Sequence, residues 1–289
     1  MDADTYSDKA VKLFANKNLT SMKIDAEKGE GIDLAKRFGV RGFPTIVFAN
    51  AKGEEIDRIV GYLPPEPFLI QLERIKSGKN TLPALLRDFQ LNPNKFSTLF
   101  KLAKKYEGMD DPGSAKRMVN AILAAGTDSA GTAKFFSILY EARETRDPAI
   151  LIAYADENSE SENSINALQE AMYFVRRRGT DPALEANLYV RVVHGMKEPN
   201  PGAMNGFAWR MSELDLNLDL ALDKISWAID NETDEKNKYM YLDTKAEILW
   251  KLDRTEEAIS EIEKCISFNS EDKYYKEQLE KFQKSLNPA

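Results

Sequence analysis

The chain has 289 residues, 40 Lys+Arg against 47 Asp+Glu for a net charge of −7, and a single Cys and a single His. One Cys makes neither an internal disulfide nor a CxxC pair, and one His excludes HExxH and other multi-His metal centres. The acidic balance gives no reason to expect nucleic acid or an anionic membrane as partner, and no apolar run approaches the ~18–20 residues of a membrane span.

Residues 7–18 predict a helix with Val11 and Phe14 apolar and Ser7 as N-cap. Met22, Ile24 and Ala26 alternate with polar residues and predict a strand. Ile32, Leu34, Ala35 and Phe38 fit a short helix that Gly39 can end. Residues 45–49, TIVFA, form an unbroken run expected of a strand buried on both faces. Turn residues Asn50–Gly53 follow, then Glu55–Tyr62 as the second strand of a hairpin. Pro64, Pro65 and Pro67 open a helix carrying Phe68, Leu69, Leu72 and Ile75. The expected order is α-β-α-β-β-α.

Composition changes after the polar stretch SGKN at 77–80. Residues 1–78 hold seven of the 15 glycines and balance 12 Lys+Arg against 12 Asp+Glu, so all of the −7 lies beyond them. That sets an expected boundary, with an α/β domain over 1–78 and an all-α domain over 79–289. In the second part, helices are expected to begin near residues 112, 148, 182, 218 and 255, at spacings of 36, 34, 36 and 37. Three of these starts are Asp-Pro, at Asp111, Asp147 and Asp181. Asp caps free N–H groups and Pro tolerates the first helical position. Further helical patterns fill the intervals at 131–144, 163–178 and 237–252, with Asp156–Asn163 as an acidic loop. A two-helix period near 35 is similar to that of tetratricopeptide-type solenoids.

In the last unit Ala246, Leu249, Ala258, Ile262 and Cys265 resemble the small and large packing positions of a tetratricopeptide repeat, and Ala221, Ile225 and Ala228 repeat half of that pattern. Residues 205–270 are the most repeat-like stretch. Lys245 stands where that family prefers a large apolar residue, and Ser270 where it prefers Pro. The pattern makes Cys265 a buried packing residue rather than a nucleophile. His194, just before Gly195, reads as a helix-end cation. Arg176–Arg178 reads as a solvated helix end.

VRGFPT at 40–45, with MKIDAEKGEGIDLAKRFGV before it and IVFANAKGEEIDRIVGYLPPEPFLIQLERI after it, resembles the thioredoxin family over residues 1 to about 77. The resemblance implies a cis proline at Pro44, beside the family's active-site cysteines. It further implies that Gly42, Phe43, Pro44 and Thr45 contact an extended substrate chain. The family's Cys-x-x-Cys and the strand leading to it would precede residue 1, and MDADTYSDKAV matches the piece that follows them. The expectation is a chain cut short after the motif, because a sheet interior without that strand leaves backbone groups unpaired at roughly 1–3 kcal/mol each.

Two functions follow. In the first, the full-length protein is a protein thiol–disulfide oxidoreductase acting on protein disulfides or thiols, with helical repeats that hold a peptide or protein partner. No catalytic residue for that step lies within this chain. In the second, the chain is a non-catalytic interaction scaffold built on both domains. No cofactor or metal is implied by either. Compartment stays open at this point, as does the choice among reductase, oxidase and isomerase.

Overall fold

Asp8, rather than Ser7, caps the first helix. Its carboxylate accepts from the N–H groups of Ala10 and Val11 at 2.8 and 3.0 Å, and α1 runs Lys9–Asn18. One carboxylate serves two orphan donors with a full charge at the positive helix end. Ser7 instead donates its hydroxyl to the carbonyls of Ala3 and Asp4. This is a computed structural model, and it describes residues 1–128 and 131–286. The chain divides into two units, Met1–Glu144 and Thr145–Ala289.

The first unit holds a small α/β layer. Helix α2 (Glu30–Arg37) ends at Phe38, and Gly39 follows with φ +58°. Strands β1 (Thr45–Ala49) and β2 (Glu55–Val60) form an antiparallel hairpin that pairs Thr45 with Val60 and Ile46 with Ile59. The second strand thus stops two residues short of Tyr62. Helix α3 (Pro65–Lys76) covers one face. Val11, Phe48, Ile59, Phe68, Leu72 and Ile75 make the core between them.

Two strand expectations fail. The stretch carrying Met22 and Ile24 is irregular backbone, and Met22 is 81% exposed. Its alternating pattern finds no ladder partner among the described residues, and alternation without pairing does not make a strand. TIVFA is a strand, but only Phe48 is buried. The sheet has two strands among the described residues, so β1 has one open edge.

Four helices complete this unit: α4 (Leu82–Leu91), α5 (Phe96–Gly108), α6 (Pro112–Ala124) and α7 (Thr132–Thr145). Leu99, Ala103, Ala115, Val119, Ile122 and Ala133 form their core.

Among its described residues the second unit has helices as its only regular elements. Its helices are α8 (Pro148–Glu157), α9 (Glu162–Arg178), α10 (Pro182–Gly195), α11 (Pro201–Leu214), α12 (Leu218–Asn231), α13 (Glu235–Lys251), α14 (Thr255–Phe268) and α15 (Lys273–Leu286). The five expected starts fall at Pro112, Pro148, Pro182, Leu218 and Thr255. Asp111, Asp147 and Asp181 all cap through their carboxylates, each at 2.9 Å. The acidic loop is shorter than its composition suggests, because Glu157 closes α8 and Glu162 opens α9. Here Ser161 supplies the cap and Glu162 sits in the first turn, where a carboxylate suits the dipole.

Ala246, Leu249, Ala258, Ile262 and Cys265 pack in one core with Phe282, and Ala221, Ile225 and Ala228 in the next. Lys245 turns its ammonium to the Glu261 carboxylate at 2.8 Å, which reconciles a charge with a half-buried position. No helix among the described residues is long and apolar enough to cross a membrane.

Candidate functional site

Gly42, Phe43, Pro44 and Thr45 lie together on the loop that runs from α2 into β1. Gly39 turns the chain out of α2, and the Val40 N–H still donates to the Ala35 carbonyl at 2.8 Å. The loop then rises to Gly42, whose carbonyl accepts the Thr45 hydroxyl at 2.7 Å. This short bridge closes the turn on itself. The Phe43–Pro44 peptide bond is cis. On the far side the Pro44 carbonyl accepts from Gly61 N–H at 2.8 Å, which ties the loop to the end of β2.

Phe43 is 65% exposed. A phenyl ring held in water by a fixed loop is the feature to explain, since apolar side chains gain by burial. It lines an open cleft of about 500 Å³ with Lys23, Ile24, Asp25, Ala26 and Glu27. Ile24 and Val60 are exposed too. In an antiparallel ladder, successive residues turn their N–H and C=O groups to opposite edges. The Gly61–Pro44 bond fixes the phase, so Thr45 and Val47 turn theirs to the open edge of β1.

Charged residues share the cleft, at Lys23, Asp25 and Glu27. The Tyr62 hydroxyl, just beyond Gly61, donates to the Asp4 carboxylate. That bond, with the Thr5 N–H, holds Asp4 well below the usual carboxylate range, at about 2, and the bond to Asp4 pushes Tyr62 up. Lys23 pairs with Asp2 at 2.6 Å, which lowers Asp2 and raises Lys23. Thr5 is buried and gives its hydroxyl to the Leu63 carbonyl at 2.6 Å. The acidic stretch before α1 is thereby pinned beside β2.

The loop holds no cysteine. Cys265 is buried on α14, with its thiol directed to the Tyr239 carbonyl at 3.3 Å. Burial and the nearby carboxylates of Asp243 and Glu261 push the thiol up to about 12. Such a group is inert as a thiolate nucleophile. His194 is exposed in the last turn of α10. Among the described residues no three His, Cys, Asp or Glu side chains converge to hold a metal ion.

Residues that sequence patterns passed over also reach the loop. Arg58 gives its guanidinium to the carbonyls of Phe38 and Gly108 and pairs with Glu55 at 2.6 Å. Arg41 pairs with Asp110. The signal for the first was a charged residue inside a strand. The partner at Gly108 lies 50 residues away and leaves no local trace.

Residues 3–76 match the family described as "thioredoxin-like domain". A curated relative, the thiol:disulfide interchange protein DsbD of Pasteurella multocida (strain Pm70), is 33% identical over 79 residues. That alignment covers 26% of this chain and 14% of the relative. The matched segment is a thioredoxin-like domain and contains all four loop residues.

Proposed function

We propose that residues 1–78 are the substrate-facing part of a protein thiol–disulfide oxidoreductase, and that Gly42–Thr45 dock an extended polypeptide beside a cysteine pair lying outside these 289 residues. The observation that carries this reading is Phe43, exposed on a loop fixed at both ends and bordering a cleft. The thioredoxin-like match over residues 3–76 supports it, as does the name of the Pasteurella relative. The open edge of β1 supports it further, since its unpaired groups fit the strand that leads to the family's cysteine pair.

The chemistry would be thiol–disulfide exchange. A thiolate with lowered pKa attacks one sulfur of a substrate disulfide, a mixed disulfide forms, and a second thiol releases the product. This chain contributes the docking surface. Phe43 offers apolar contact and its flanking backbone offers strand-like hydrogen bonds. The two-helix units of residues 79–289, read as tetratricopeptide-like repeats most closely over 205–270, would hold a protein partner on their extended surface.

The test is the coding sequence upstream of Met1. A CxxC in frame, and insulin-disulfide reduction by the protein expressed with it, would support the reading. An intact gene without the cysteine pair would overturn it and leave a non-catalytic interaction scaffold.

A further inference from the structure

We propose that the corner between α5 and α6, Gly108–Asp110, is a brace that positions the Phe43 loop and so sets how tightly a polypeptide docks there. This rests on the docking role given above to Gly42–Thr45.

Three independent contacts converge on the four residues that lead into that loop. Arg58 is the first. The last carbonyls of a helix have no partner within it, and this one fork of N–H donors serves two helix ends at once, at Phe38, which caps α2, and Gly108 of α5. A cation there also complements both dipoles. Its side chain is 7% exposed, and Glu55, equally buried, neutralises it.

Gly39 is the second. A Cβ built on it would lie 2.4 Å from the Met109 carbonyl oxygen. The two backbones are therefore in direct contact, with no side chain between them to absorb motion. The third is the ion pair of Arg41 with Asp110, one residue before Gly42.

The corner itself is stiff. Asp110 has φ +60°, its N–H donates to the Glu107 carbonyl at 3.1 Å, and Asp111 N–H donates to Tyr106 at 2.9 Å before Asp111 caps α6. A rigid corner gripping residues 38–41 leaves the loop little freedom before Phe43. Any displacement of α5 or α6 by a bound partner is carried to the docking residues.

The experiment uses the 289-residue chain and a fluorescein-labelled extended decapeptide with a central S-methylcysteine. Amide exchange at Gly39 and Val40, peptide affinity by anisotropy, and Tm are read together. Arg58→Met, and the more exposed changes Asp110→Ala and Arg41→Asp, should accelerate exchange at both amides and weaken the peptide by roughly tenfold, about one decade in Kd. Arg41→Asp combined with Asp110→Arg should restore both, which a general loss of stability would not. Exchange left unchanged in all three single variants overturns the brace, whatever the peptide does. Faster exchange in a chain whose wild type binds no peptide, with Phe43→Asp silent, keeps the brace and overturns the docking reading.

Discussion

The carboxylate of Asp57 sits wholly inside the first unit, 2.8 Å from the Arg74 guanidinium. Lys105 of α5 pairs with its other oxygen. A buried carboxylate on β2 is thus shared between α3 and α5. Removing a buried charge from under two cations strands both, and breaking such a pair costs about 3–5 kcal/mol. Asp57→Ala should lower stability by that order in urea unfolding. Asp57→Asn, which keeps the shape and one acceptor, should lose less. Equal losses in the two variants would show that charge contributes nothing there.

The Asp-Pro starts yield a more modest prediction. Asp111→Ala, Asp147→Ala and Asp181→Ala each remove a carboxylate that accepts a helix N–H at 2.9 Å. Each should cost about 1 kcal/mol, measured as a drop in Tm. Asp111→Ala should cost most, because that carboxylate also accepts the buried Ser114 hydroxyl. These starts were legible because capping is local: the donor, the acceptor and the proline lie within four residues. The strand expected at Met22–Ala26 was not, because a strand exists only through a neighbour that its own sequence does not name. The contacts of Arg58 and Gly39 with residues 108–109 were hidden for the same reason. The loop Gly42–Thr45 was legible as an ordered set of residues, whereas the exposure of Phe43 was not.

Acid should stabilise the second unit locally. Burial, chiefly, pushes the Asp243 carboxyl up to about 6; the Tyr274 hydroxyl at 3.1 Å opposes this, Glu247 and Asp272 add to it, and Lys281 opposes it. An acid whose folded pKa lies above its unfolded value binds its proton more tightly when folded. Stability from this group is therefore greatest below about pH 4 and is lost as pH rises through 6. The full effect is about 1–3 kcal/mol. Asp243→Asn should flatten the stability profile between pH 4 and 6.5 in denaturant titrations. A wild-type profile already flat over that range would refute it.

Cys265 should behave as a packed methyl-sized group. It is fully buried beside Ala246, Ala258 and Phe282, and its pKa near 12 removes thiolate at neutral pH. Ellman's reagent should react with it only after unfolding, at a rate that tracks global opening in urea. Cys265→Ala should cost about 1 kcal/mol through the small cavity left behind. Fast labelling of the native chain would mean that α14 opens locally.

Two glycines three residues apart should respond in opposite ways. Gly39 has φ +58° and no room for a Cβ against the Met109 carbonyl, whereas Gly42 has open space around the same position and no left-handed φ. Alanine at 39 must both adopt a conformation that side chains disfavour and push one backbone away from another. That combination should cost at least about 2 kcal/mol. Alanine at 42 meets neither obstacle and should leave Tm within a degree or two, while lowering the flexibility of the unfolded chain. Measured side by side, the pair separates the structural demand at the end of α2 from the docking role given to the loop. If Gly42→Ala keeps Tm and still weakens the labelled decapeptide, the glycine serves the incoming chain. If both substitutions are neutral to Tm, the close approach of Gly39 to Met109 is relieved by a shift of the α5–α6 corner, and the brace is softer than its geometry implies.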